Sequence, residues 1–475
     1  MKTFCINTLG CKVNQYESAA LQAMLERSGL HQSGSGKADL VIINSCCITA
    51  AAARKSRQAI RKLARQSPEA AVAVVGCLST YHESQVQKIF KDLGRPAEKI
   101  LIVGHHDDVA DRLLMFLRGQ TAAKTPQSAP KTPENIKKRR LDAIKAAPLA
   151  TQGLAAIKDF PEHQRAFVKI QDGCDAMCSY CVVPFTRSRV WSRGVDEILA
   201  ECRNLISAGY REIVLCGVFI GAFGRQTAIR RNWPATAATG GSPLAELLYK
   251  VSKLDGLWRV RLGSLEPLDV TDELLGLAAD NEKIAPHFHM ALQSGSAKIL
   301  RLMNRQYTPD EFLNAVSRLR QRLGDLPAIT TDIIVGFPGE DDDDFNQTLA
   351  VAKLAGFSKI HAFPFSAIEP TPAWHRRREA PPPEIVRERM ERLADVEKTL
   401  ADEYRCAFMG RTLEALAENS AGPAGYEYRA MTDRYLTVAF NSNSQINAGQ
   451  LVTLQINGQQ DDYLTAEKVS SPAVR

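Results

Sequence analysis

The chain has 475 residues, 45% hydrophobic and 24% charged, the balance of an ordinary soluble globular protein of about two to four domains. No apolar run reaches the length of a membrane span. The opening MKTFCINTLG lacks a charged start followed by a long apolar stretch, so a cytoplasmic protein without a membrane partner is expected. Eleven cysteines in such a chain argue for metal ligation or thiol chemistry rather than a disulfide framework. A net charge of +7 and a pI near 8.8 permit a polyanionic partner without requiring one.

Residues 1–118 alternate strands and helices, which predicts a parallel sheet covered on both faces. Strands are expected at 3–9, 40–44, 71–76 and 100–103, with helices over 16–28, 50–66 and 107–117. Cys11, Cys46 and Cys77 each follow the C-terminal end of a predicted strand. In an open parallel sheet those ends share one edge, where ligands bind, so the three thiols should converge into a cluster site. Buried cysteines also serve as small hydrophobes; Cys5, inside the first strand, reads that way. The motifs TLGCKVNQYES, INSCCIT with AAARKSRQAIRK, and VVGCLS resemble, in this order, the N-terminal domain of the methylthiotransferase family. The family's usual second motif, N-T-C-T, implies Cys46 as the ligand, and the adjacent Cys47 leaves that assignment open. Arg54, Arg57 and Arg61 on the second helix are either a solvated face or contacts to RNA phosphates.

Residues 119–165 read as a basic flexible linker, with nine Lys or Arg against four Asp or Glu and few aromatics.

In 166–375, strands are expected at 166–170, 212–217, 258–263, 288–293, 330–336 and 359–365, separated by amphipathic helices. Six such units predict a partial TIM-type (β/α)6 barrel with its chemistry at the C-terminal strand ends. There the first strand runs into QDGCDAMCSYCVVP. Cys174, Cys178 and Cys181 supply three thiolates within eight residues, one fewer than a closed four-ligand site needs. This C-x3-C-x2-C array resembles the radical S-adenosylmethionine (SAM) signature. The resemblance implies a [4Fe–4S] cluster whose open iron binds SAM and a 5′-deoxyadenosyl radical made from it. GSLEP, QSGS and GFPGE close later strands and resemble the methylthiotransferase barrel, which makes Tyr180, Ser264, Glu266, Gln293 and Gly336 the candidate SAM contacts. Arg187 and Arg193, just past the cluster loop, are candidate grips for RNA or for the SAM carboxylate.

Residues 376–404 read as a bridging helix. Short alternating runs in 405–470 predict a small all-β domain, and YRAMTDRYLTVAF there resembles the TRAM domain, an RNA-binding module. With five Lys or Arg against seven Asp or Glu, this part has no basic excess.

The whole is thus expected to be α/β, with a parallel-sheet domain, a radical SAM barrel and a TRAM-like domain. LGCKVNQYES resembles the branch acting on N6-threonylcarbamoyladenosine. That resemblance implies a tRNA-modifying enzyme that adds a methylthio group to C2 of this nucleoside at position 37, in the anticodon loop. It implies two [4Fe–4S] clusters, SAM, and an electron donor such as flavodoxin or ferredoxin. An aromatic C2–H is neither acidic nor electrophilic, so radical chemistry suits its replacement. Competing readings are the isopentenyladenosine branch, a ribosomal-protein aspartate as substrate, a non-catalytic iron–sulfur RNA-binding protein, and a zinc protein using the same thiols.

Overall fold

The structure is a computed structural model that describes residues 1–34, 37–105, 109–119, 157, 160, 164–233, 241–419 and 421–469. Most of the 119–165 segment lies outside the described residues.

The N-terminal sheet contains β1 (Thr3–Thr8), β2 (His31–Gln32), β3 (Leu40–Ser45), β4 (Ala71–Gly76) and β5 (Ile100–Ile102), in the order β2-β1-β3-β4-β5 and parallel throughout. LVIINS and AVAVVG are buried at every position, as central parallel strands covered on both faces must be. The first helix, Lys12–Arg27, starts four residues earlier than the sequence suggests, because Cys11 adopts the extended conformation of a helix N-cap. The Asn14 side chain then donates to Leu9 O at 2.8 Å and Ser45 O at 3.2 Å, and Asn44 donates to Asn14 O at 2.9 Å. These bonds tie the end of β1 to the end of β3. The second helix, Ala50–Gln66, is capped by Thr49, whose hydroxyl accepts from Ala52 N at 3.0 Å. It buries Ala53, Ser56, Ile60, Leu63 and Ala64, a helical spacing that turns its basic residues outward.

The central domain is built on β6 (Arg165–Asp172), β7 (Trp191–Ser192), β8 (Glu212–Gly217), β9 (Arg259–Leu262), β10 (His287–His289), β11 (Ala328–Val335) and β12 (Lys359–Pro364). They form two sheets, β7-β6-β8-β9 and β10-β11-β12. Parallel bridges Val260–Ile284, Leu265–Met290 and Gln293–Ile333 carry the curve from one sheet to the next, so six parallel strands make a partial barrel. β10 is shorter than its motif suggests, because the chain turns at Gln293 with φ of 65°.

Helix Pro383–Cys406 runs along β12 and docks through Arg389, which pairs with Glu340 at 2.9 Å and Asp342 at 2.7 Å. Beyond it, β13 (Thr412–Ala417), β14 (Tyr428–Thr432), β15 (Thr437–Asn441), β16 (Leu451–Gln460) and β17 (Tyr463–Lys468) close a small barrel in the order β13-β14-β15-β17-β16. β17 has no clear sequence signal, since YLTAEK is polar at its end and buries just its middle three residues.

The two barrels meet at several charged contacts, among them Arg165 with Glu418 at 3.1 Å, and the most buried is centred on Glu212. Glu212, fully buried, binds Arg261 Nε at 2.6 Å and Arg259 at 3.4 Å. Arg261 donates onward to the carbonyls of Thr432 (2.6 Å) and Asp433 in the small barrel. Replacing Glu212 with Ala leaves a fully buried guanidinium without its counter-ion, which should cost about 3–5 kcal/mol. A urea titration followed by limited proteolysis is expected to show Glu212→Ala opening at lower denaturant, with cleavage first at the junction between the barrels.

Candidate functional site

The three N-terminal cysteines follow the ends of three adjacent strands, and among the described residues no three His, Cys, Asp or Glu side chains stand close enough to hold a single metal ion. Cys11 follows β1 at the N-terminus of helix Lys12–Arg27, Cys46 follows β3, and Cys77 opens a short helix directly after β4. A β-carbon on Gly10, whose φ is +110°, would lie 2.9 Å from Cys46 Cβ and 3.1 Å from its Sγ, so the loop passes against that thiol. Burial pushes the Cys77 thiol up to about 12, with Cys46 and Cys11 adding to the rise and Arg187 opposing it. Burial likewise raises Cys46, with Cys11 contributing. Cys47 instead packs in the core with Ile60, Leu63 and Tyr81, 1% exposed. Buried thiols such as Cys46 and Cys77 are costly as bare thiolates and fit a metal cluster that binds them deprotonated.

The barrel triplet sits on the loop leaving β6. Gln171, fully buried, donates to the carbonyls of Asp172 (2.9 Å) and Gly173 (2.7 Å) and accepts from Phe219 N (2.8 Å). Gly173 has φ of +76°, and a β-carbon there would collide with the Arg189 carbonyl, so no larger residue fits before Cys174. Burial raises Cys174 well above the ordinary thiol value, with Cys178 and Cys181 adding to it; burial and then Cys178 push Cys181 up to about 12. This three-thiol donor set also fits a cluster with one iron left open.

A buried charge network lies between the triplets. Glu17, on the helix that Cys11 caps, accepts from Arg187 at 2.8 Å and from Lys169 at 3.1 Å. Asp172, two residues before Cys174, binds the same two cations at 2.9 Å and 3.0 Å. Despite their burial, Arg187 and Lys169 hold Glu17 and Asp172 below the usual carboxylate range. His105, 3.4 Å from Cys77, is pushed down to about 3 by burial and then by Arg187, and so is neutral.

The pattern described as Uncharacterized protein family UPF0004 matches residues 3–94, and that of the Radical SAM superfamily matches residues 168–352. The chain is 32% identical over 469 residues to threonylcarbamoyladenosine tRNA methylthiotransferase MtaB of Chlamydia pneumoniae, covering 98% of each. It is 31% identical over 460 residues to the Bacillus subtilis protein of that name, covering 96% of this chain and 94% of that one. The chain belongs to the radical SAM methylthiotransferase family, in its MtaB branch. It is also 30% identical over 465 residues to tRNA-2-methylthio-N(6)-dimethylallyladenosine synthase of Acetivibrio thermocellus, covering 96% of this chain and 88% of that one. Among solved structures, the radical SAM methyltransferase TsrM of Kitasatospora setae shares the fold, with a TM-score of 0.52 and 14% identity over 90% of this chain and 80% of that one. Enzymes of this class use [4Fe–4S] clusters and SAM.

In this methylthiotransferase the candidate SAM residues occupy unlike settings. Ser264 is exposed at the end of β9. Glu266 is buried and already paired, with Arg230 at 3.1 Å and Arg305 at 2.8 Å. Gln293 holds the left-handed turn after β10. Gly336 donates its N–H to Glu340 at 2.7 Å, and Val386 packs where a side chain would stand. Tyr180 stacks edge-on against Phe337, centroids 6.4 Å apart, which anchors the cluster loop to the barrel.

Two of the expected RNA contacts are corrected. Arg187 is consumed by Glu17 and Asp172. Arg193 is buried against Glu201 (2.5 Å), Tyr16 Oη (3.0 Å) and Lys169 O (3.1 Å). Neither guanidinium is a surface group. Arg54 and Arg61 do lie exposed on helix Ala50–Gln66 and Arg57 half-buried; among the described residues none of the three forms an ion pair. Sequence reasoning missed Arg305, which donates to Cys178 Sγ at 3.3 Å while bridging to Glu266 and Tyr307 Oη. Its place in MNRQYT, beside a motif already singled out, was the available signal.

Cys46→Ala should lose about four of roughly eight irons per reconstituted chain, and Cys47→Ala should keep them all. Iron assay with absorption spectroscopy decides it. The reverse pattern would move the ligand to Cys47.

Proposed function

We propose that this methylthiotransferase adds a methylthio group to C2 of N6-threonylcarbamoyladenosine at position 37 of tRNA, in the cytoplasm, with an electron donor such as flavodoxin or ferredoxin. The observation that carries a two-cluster reaction is the presence of two three-cysteine sets at strand ends, one on three N-terminal segments and one on the β6 loop, whose elements are joined by one buried charge network. Cys11, Cys46 and Cys77 would hold one [4Fe–4S] cluster, and Cys174, Cys178 and Cys181 the other. When bound, the barrel cluster with SAM supplies the radical and methyl chemistry, and the N-terminal cluster supplies a place for sulfur. The substrate assignment is supported by LGCKVNQYES and by relatives bearing the threonylcarbamoyladenosine name; relatives bearing the dimethylallyladenosine name keep that nucleoside as the alternative.

The chain's own groups set the conditions for this chemistry. Gln171 and Gly173 fix the backbone entering the barrel triplet. Arg305 places a positive charge on Cys178 Sγ, and hydrogen bonds to cluster sulfurs tune reduction potential. The Glu17–Lys169–Asp172–Arg187 network holds the two loops in fixed register. For the tRNA, the helix carrying Arg54, Arg57 and Arg61, none of which forms an ion pair among the described residues, is capped by Thr49, three residues after Cys46. Phosphates bound there would bring the anticodon loop to the cluster edge.

Incubating reconstituted enzyme with SAM, reductant and anticodon stem-loops, then weighing the nucleosides, tests the substrate. A gain of methylthio on threonylcarbamoyladenosine and none on isopentenyladenosine is expected; the opposite result overturns the assignment. Replacing Arg54, Arg57 and Arg61 together with Ala should weaken tRNA binding and flatten its log–log salt dependence by about 0.7 to 1 for each phosphate no longer neutralised. An unchanged salt slope would return that face to solvent.

A further inference from the structure

The interior of the central barrel holds polar groups that neither triplet uses. Lys12, the residue after Cys11, is exposed and forms no ion pair among the described residues. Its Nζ lies 6.0 Å from the centre of the Tyr435 ring, which the small barrel inserts from the other side on a turn with φ of 57°. His287 meets the same ring edge-on at 4.5 Å, and the Arg261 guanidinium lies 3.9 Å from it. From His287 a polar row crosses to β11: Thr330 Oγ1 lies 3.3 Å from His287 Nε2 and 2.9 Å from His289 Nδ1. His289 Nε2 reaches Asp332 at 3.3 Å. Residues 287 and 289 alternate along β10, as 330 and 332 do along β11, so all four face the same side of the sheet. Three domains therefore meet around the Tyr435 ring, and Lys12 brings to it the segment that carries Cys11.

Among the described residues, the arginine nearest this ring is paired, and Asp332 is hydrogen-bonded at the partly exposed far end of the row. Arg261 gives its donors to Glu212 and to the Thr432 and Asp433 carbonyls. Asp332 faces His289. Burial, then Arg261 and Lys12, hold His287 well below its ordinary value, so it is neutral. Among the described residues Lys12 has no carboxylate partner, and it is exposed next to Cys11. An unpaired ammonium there is a recognition group for an anion. Neutral imidazole and hydroxyl groups beside it suit a ligand that also carries hydroxyl and carbonyl groups.

We propose that Lys12 pairs with a free carboxylate on the N6 substituent of the substrate adenosine, and that the His287–Thr330–His289 row hydrogen-bonds the rest of that substituent. The proposal rests on the threonylcarbamoyl reading and names the group that reads it. An isopentenyl substituent offers no anion to the ammonium and no hydrogen-bonding group to this row.

The test compares three anticodon stem-loops on cluster-loaded enzyme: one bearing threonylcarbamoyladenosine, one with its carboxyl converted to the primary amide, and one bearing isopentenyladenosine. Equilibrium binding and single-turnover methylthio yield are both read. Wild type should bind the carboxylate RNA about 10- to 100-fold more tightly than the amide, the span of one charge-assisted contact. Lys12→Met should bind these two alike, with the iron content of wild type, and Lys12→Arg should restore part of the preference. A Lys12→Met enzyme that keeps the preference overturns the proposal. So does one that weakens all three RNAs equally, which would make Lys12 a phosphate contact. A wild type that fails to methylthiolate threonylcarbamoyladenosine would instead sink the substrate reading itself.

Discussion

Two carboxylates and two cations, buried between the N-terminal sheet and the central barrel, set the geometry on which the site depends. Glu17 and Asp172 share Lys169 and Arg187, so the network is neutral and each carboxylate meets both cations. Removing one member from such a set leaves an uncompensated buried charge, at a cost of about 3–5 kcal/mol. Apolar residues could bury the same area, but they would allow the domains to slide. Ion pairs at 2.8–3.1 Å with fixed forks specify one register. That register matters because Glu17 lies six residues after Cys11 and Asp172 two before Cys174. Tyr16, next to Glu17, packs into the barrel's own core and bonds Glu201, so the first helix belongs to both domains.

Much of this was legible in sequence because parallel sheets obey a strong rule. Once LVIINS and AVAVVG read as buried strands, their C-terminal ends had to share an edge, and Cys11, Cys46 and Cys77 had to share it too. The cysteine spacing on the β6 loop was local and needed no fold at all. The separation of Cys46 from Cys47 was not legible, since adjacent residues at a strand end differ in where they point and not in chemistry. Arg187 and Arg193 were misread for a related reason. An arginine beside a cluster loop looks like an anion grip until its carboxylate is known, and neither Glu17 nor Glu201 is marked as that partner by anything in its own surroundings in the sequence.

The arginines also show why net charge was a poor guide to partners. Arg187, Arg193, Arg230, Arg259, Arg261, Arg305 and Arg389 all sit in buried or half-buried pairs. They contribute to the +7 and offer nothing to a polyanion. Among the described residues, exposed basic groups next to the N-terminal cysteines include the basic face of helix Ala50–Gln66 and the side chain of Lys12.

Those two features lie within the stretch of chain spanned by the N-terminal triplet, and each follows shortly after one of its cysteines. Helix Ala50–Gln66 begins after the Cys46 loop, and Lys12 follows Cys11 directly. A strand end can move little without disturbing the sheet, so the thiols and the neighbouring cations are positioned together, in part by the side-chain amides of Asn14 and Asn44, which donate to backbone carbonyls. In the proposed reaction this gives a simple division of labour. The exposed helix would locate the RNA by its phosphates, Lys12 would read the substituent on the base, and the thiols between them would present sulfur at a distance set by β1 and β3 rather than by any flexible arm. Specificity and reactivity would then be coupled through rigid backbone, with the buried charge network holding the barrel loop against it.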